Sequence, residues 1–168
     1  VTDDDIKRGQ MYLEDKNRKS LLESATNLDD FLTQLNIQLQ IKNADEFSIP
    51  RISQLTLKTN QFNLTTKRYQ EEEIRKLVNN QKMLVGSVQV KDKFGDNGIT
   101  GVYIVKKDDS EWIIDTFLMS CRIIGRKLEY EILERAIDHL VDMGCLKVVA
   151  EYVRTNKNGL VMDFYNNA

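Results

Sequence analysis

Ser120-Cys121-Arg122-Ile123-Ile124-Gly125-Arg126 sets a thiol, two guanidinium groups and a glycine at the joint between an apolar stretch and an amphipathic one. A helix opening at this joint would favour thiolate over thiol, and so would the flanking cations. A thiolate at Cys121 can accept an acyl group from a thioester. The competing reading is a small buried residue that ends a strand, since free cysteine is often buried. The joint can also hold phosphate, because Arg122, Gly125 and Arg126 offer guanidinium forks and backbone N–H groups. Lys127 either adds a phosphate contact or fills the pocket.

Other candidates are scattered. Asp115 lies mid-strand among Ile113, Ile114 and Phe117, where a carboxylate needs a partner. It is either a base, an orienter of an arginine or half of a structural ion pair. Tyr165 pairs an aromatic anchor beside Phe164 with a phenol protonated at neutral pH. Asn158 opens the last helix as a cap or as a ligand contact. Asn60, Gln61 and Asn63 form a polar loop whose amides satisfy either a turn or a substrate. His139 lies at the margin of an apolar helix face and reads as a surface residue, Cys145 as core. Glu71, Glu72 and Glu73 read as a solvated helix start.

The elements that must position these residues follow from patterning. At 168 residues, 41% hydrophobic and 30% charged, the chain suits one folded soluble domain with an appendage. A net charge of −2 argues against a dedicated nucleic-acid binder. No run approaches the roughly 18 apolar residues of a membrane span. Two cysteines without zinc spacing point to a reducing cytoplasm and no metal. Residues 1–34 read as a helical linker with Thr2 and Asp5 as a capping box, then a short helix capped by Asn27. From Leu35 to Lys42 apolar and polar residues alternate as in a half-buried strand. Two helices follow, the second capped by Thr65 or Thr66. Three strands form an antiparallel meander, with Lys93–Gly98 as one turn. A long helix begins near Gly125 and ends at Gly144 as its C′ residue. A strand parallel to the fourth and a last helix close the order β-α-α-β-β-β-α-β-α over 35–168.

That order resembles the GNAT acyltransferase fold. Its Arg/Gln-x-x-Gly-x-Gly/Ala turn is matched here by Arg122 to Lys127, with Lys127 in place of the small residue. The segments 59–69, 92–102, 114–126 and 150–165 further resemble the C-terminal half of FkbH-like proteins. That family joins such a half to an N-terminal HAD-type half, absent here. The resemblance implies a domain that handles a glyceryl or similar acyl thioester and passes it to the phosphopantetheine arm of an acyl carrier protein in polyketide assembly. It implies Cys121 as transient acceptor, Tyr165 as the acid that protonates the leaving thiolate, and Asn60, Gln61 and Asn63 beside the acyl unit. It also implies Arg122, Gly125, Arg126, Lys127 and Asn158 around pantetheine or coenzyme A. A GNAT fold normally adds a final hairpin after Tyr165. Two alternatives remain: a stand-alone acyl-CoA-dependent N-acyltransferase, and a non-catalytic module that docks a carrier protein.

Overall fold

The computed structural model describes residues 2–123 and 128–167. Helices α1 (Asp3–Ser24) and α2 (Leu28–Leu35) lead into β1 (Gln38–Asn43), α3 (Ile49–Lys58) and α4 (Glu71–Asn79). Strands β2 (Met83–Asp92), β3 (Gly95–Lys107) and β4 (Trp112–Met119) follow, then α5 (Glu129–Asp142) and β5 (Val148–Ala150). The final helix expected from sequence is only a 3-10 turn, Gly159–Val161. The chain forms two compact units: Val1–Leu39 with Val90–Gly98, and Gln40–Gln89 with Ile99–Ala168.

In the first unit the expected capping box is present. Thr2 Oγ1 accepts from the Asp5 N–H at 3.2 Å and the Asp5 carboxylate accepts from the Thr2 N–H at 3.0 Å. Leu35 ends α2 and does not open a strand, because Asn36 takes a left-handed backbone at φ 51 and breaks the alternation. The expected six-residue turn shrinks to Lys93-Phe94, since β2 runs on to Asp92 and β3 starts at Gly95. Asp92 accepts the N–H groups of Phe94 and Gly95 at 3.0 and 3.2 Å, which folds that link back on itself.

The five strands lie in the order β1-β2-β3-β4-β5. β3 runs antiparallel to β4 from Gly101 opposite Met119 to Lys107 opposite Trp112. β5 runs parallel to β4, as a helical crossover requires. In the second unit α3 presents Ile49, Ile52 and Leu55 to a core with Ile74 of α4, Val85, Val102, Ile104 and Leu118. Burying each such side chain contributes roughly 1.5–3 kcal/mol. α5 buries Ile132, Leu133, Ala136 and Leu140. It starts at Glu129 and ends with Gly144 at φ 103, a left-handed stop that suits glycine. α4 starts at Glu71 with a Gln70/Glu73 capping box, so the Thr65 and Thr66 caps are not used. Among the described residues no helix is long and apolar enough to cross a membrane.

Candidate active site

The site begins with an irregularity in β4. Ile104 opposes Thr116 while Val105 opposes Ile114, so Asp115 has no partner on β3 and forms a bulge. A bulge re-aims its side chain and shifts which backbone groups face each edge. The Asp115 carboxylate accepts from Lys67 Nζ at 2.5 Å, Tyr69 Oη at 2.6 Å and Thr116 Oγ1 at 2.9 Å. β5 stays on β4 only from Trp112/Val148 to Ile114/Ala150. Asp115 and Glu151 are therefore the first residues beyond the pairing, and Lys67 bridges them, reaching Glu151 at 3.3 Å.

The electrostatics of this cluster follow from that placement. Partial burial pulls the Lys67 ammonium down, but the two carboxylates outweigh it and hold it above its ordinary value. Tyr69 is pushed up by burial and by Asp115, so it stays a neutral donor. Tyr165 is pushed up by burial and then by the field of Glu151. Its hydroxyl is buried and has no hydrogen-bond partner among the described residues. Asp115 has both oxygens engaged, whereas Glu151 keeps 43% of its side chain exposed and bonds only Lys67 among the described residues. Asp115 is thus an ion-pair member held by a lysine and a tyrosine, with no arginine among its described partners.

A cavity of about 330 Å³ opens at the other end of β4. Arg51, Leu55 and Lys58 supply one wall from a single face of α3, and Asn60, Cys121 and Arg122 line it further. No carboxylate lines it among the described residues. Arg51 donates to the Ile99 carbonyl at 3.2 Å and to Gln54 at 2.6 Å. Burial, and then the charge of Arg122, lower its guanidinium from the ordinary value. Cys121 is a free, exposed thiol in a turn closed by the Ile123 N–H on the Ser120 carbonyl at 3.1 Å. It does not occupy the first turn of a helix, because α5 begins at Glu129. No helix N-terminus among the described residues therefore faces it. Gly125, Arg126 and Lys127 lie outside the described residues.

The amide candidates divide. Gln61 is exposed at the cavity, and Asn60 accepts a hydrogen bond from Arg68 there. Asn63 is fully buried: its Nδ2 donates to the Thr59 carbonyl at 3.1 Å and its Oδ1 accepts the Thr66 N–H at 2.9 Å. Asn158 is also fully buried, its Nδ2 donating to the carbonyls of Asn63 at 3.0 Å and Val153 at 2.8 Å. Its Oδ1 accepts the Thr155 N–H at 2.7 Å. Both amides are spent on backbone, so neither faces a ligand. Asn158 stands at the N-cap position of the Gly159–Val161 turn, but its side chain makes no capping hydrogen bond. His139 is no free surface group; its Nδ1 pairs with the hydroxyl of buried Tyr103. The Tyr103 ring lies where a Cβ on Gly86 would stand, 2.1 Å from its Cζ, so the strand needs glycine there. Cys145 is buried, as read.

Sequence reasoning missed Lys67, Tyr69, Glu151, Arg51 and Lys58. Lys67 and Tyr69 lie in a segment that reads as helix but is loop. Arg51, Leu55 and Lys58 share one face of α3, a spacing visible once the helix is drawn.

No family model matches the chain, and no curated protein matches it by sequence. Solved structures do. The ribosomal-protein-S18-alanine N-acetyltransferase from Escherichia coli superposes with a TM-score of 0.57 at 15% identity, over 77% of this chain and 76% of that one. AAC(6')-Iy, in complex with the bisubstrate analog CoA-S-monomethyl-acetylneamine, gives 0.54 at 6% identity, over 77% and 88%. A GNAT family acetyltransferase from Staphylococcus aureus subsp. aureus USA300_TCH1516 gives 0.50 at 13%, over 72% and 90%. At such identities the likeness concerns the fold: this chain has the GNAT acyltransferase fold.

Proposed function

We propose that this chain is an acyltransferase that takes its acyl group from a pantetheine thioester, with acyl-CoA as the soluble donor. The observation that carries the reading is the cavity where Arg51, Lys58 and Arg122 converge with no carboxylate among the described lining residues. Such a donor set fits phosphate, since guanidinium and ammonium groups bind phosphate oxygens by charge-assisted hydrogen bonds. Bound coenzyme A would supply the activated acyl group as a thioester. In this reading Glu151, the freer carboxylate, accepts a proton from an amine or hydroxyl acceptor. In the same reading Tyr165, kept neutral by burial, is the residue that gives one to the departing sulfur. Lys67 ties Glu151 to Asp115 through contacts of 3.3 and 2.5 Å.

A second, finer reading is favoured by one observation, the exposure of Cys121 inside that cationic cavity. In it Cys121 Sγ attacks the thioester carbonyl, an enzyme-bound thioester forms, and the pantetheine thiol leaves with the proton. The reverse step, in which a carrier's pantetheine thiol attacks that thioester and Cys121 leaves as the thiol, is the one an FkbH-like loading domain would use toward an acyl carrier protein, alongside an HAD-type half.

Calorimetric titration with acetyl-CoA tests both readings. Binding should weaken about 10-fold or more in Lys58→Ala and in Arg122→Ala, the worth of one charge-assisted hydrogen bond. It should also weaken with added salt. Intact-mass measurement of the same mixture then separates the readings. An adduct lost in Cys121→Ala supports the second, and transfer to an amine without an adduct supports the first. No binding at millimolar acetyl-CoA would remove both.

A further inference from the structure

Where β5 leaves β4, a strand edge is released. An extended ligand arm bearing secondary amides, such as pantetheine, is expected to add to a free edge of that kind, as peptides do. In this chain the edge is taken. The Leu64 N–H donates to the Phe117 carbonyl at 3.1 Å, and the Met119 N–H donates to the Phe62 carbonyl at 3.0 Å. Asn63 thereby forms an antiparallel bridge with Leu118. On its far side the Leu64 carbonyl accepts the Val153 N–H at 2.7 Å. Phe62–Leu64 is thus a short strand wedged between β4 and the chain that follows β5. The bulge at Asp115 makes this possible by turning Phe117 and Met119 toward that edge.

The wedge is built in. Phe62, Asn63, Leu64 and Thr65 are all buried, Asn63 and Leu64 completely. Thr65 Oγ1 donates to the Asp115 carbonyl at 2.9 Å, and the Asn158 amide latches the Asn63 and Val153 carbonyls together. Phe62 packs edge-on against Phe164 with ring centroids 5.0 Å apart.

We infer that a pantetheine-type arm does not pair with β4 in this protein, and that Asn158 is a positioning residue that keeps the edge closed. Resting on the donor reading above, a phosphate-bearing donor is recognised by charge at the Arg51–Lys58–Arg122 cavity, and its arm runs over the wedge.

Backbone amide exchange of the full chain tests this with and without coenzyme A. The Leu64, Met119 and Val153 amides should be protected about a thousandfold or more in the free protein, at rates unchanged by saturating coenzyme A. In competition, 3′,5′-ADP should bind within about threefold of coenzyme A, while pantetheine should not compete, as charge-dominated recognition requires. Asn158→Asp keeps the acceptor for Thr155 and loses both donors. It should speed exchange at Leu64 and Val153 at least tenfold while the Met143 amide of α5 is unmoved. Rapid exchange at Leu64 in the free protein, or competition by pantetheine, overturns the inference. Should that variant not fold, the wild-type exchange and competition decide alone. Protected amides in a protein that binds neither coenzyme A nor 3′,5′-ADP support the closed edge while removing the donor reading.

Discussion

Thr66 holds a left-handed backbone, φ 57, at the foot of the wedge. A β-branched side chain crowds its own backbone there, at a cost of about 1–2 kcal/mol. The conformation lets the Thr66 N–H reach Asn63 Oδ1, while its own hydroxyl is buried and has no hydrogen-bond partner among the described residues. Asparagine tolerates this region and keeps the N–H, so Thr66→Asn should gain about 1 kcal/mol, a rise in Tm of about 2–4 °C. A lower Tm by thermal unfolding would mean that the threonine methyl packs too well to lose. Individual side chains were only half legible in the sequence. Asp115 among apolar neighbours announced its need for a partner, but its partners sit in a loop that reads as helix. Asn63 and Asn158 look like ligand-binding amides because nothing in a sequence tells which amides the backbone will consume.

The helix and turn starts of α1, α2 and α3 each lean on an aspartate. Asp5 is held below the ordinary carboxylate range by the Thr2 backbone and hydroxyl, Asp30 by Gln34 and the Thr26 N–H, and Asp45 by the Ser48 N–H and hydroxyl. A depressed folded-state pKa contributes stability above the unfolded value near 4, and that contribution disappears as pH falls through the folded value. Stability should therefore drop between about pH 4 and pH 2. Asp45→Asn keeps an acceptor for the Ser48 N–H without titrating, so its denaturant midpoint should fall less from pH 5 to pH 3 than the wild type's. Equal falls would show that Asp45 plays no part. These capped starts were readable: Thr2/Asp5 and Asn27 are local patterns, as are Gly144 and the apolar face of α3. The start of α4 was not, because Thr65 is committed to the distant Asp115 carbonyl.

Each unit of the molecule contains a buried polar centre. In the first unit Arg18, the one buried residue of α1, reaches Asp92 through Nε at 2.5 Å and Nη2 at 2.9 Å, with Asp15 at 2.8 Å. The Asp92 side chain is fully buried. Arg18→Ala leaves that carboxylate without its cation, so a loss of about 3 kcal/mol is expected, checked by chemical denaturation. Arg18→Ala with Asp92→Asn should recover part of it, and full additivity would sink the pairing argument. The strand and helix order was legible because periodicity and turn chemistry are local. The division into units and the wedge were not, because both depend on pairings between distant parts of the chain. That distance has a consequence for how the protein comes into being. Thr65 and Asp115 are 50 residues apart, and Asn63 and Asn158 are 95 apart. Each such closure must overcome chain entropy before any contact rewards it, so it comes late and slowly. On the ribosome, the cationic face of α3 is made long before the strand edge beside it can be shut. Until Val153 and Asn158 emerge, the far side of the Phe62–Leu64 wedge stands without the partners that cover it in the finished protein.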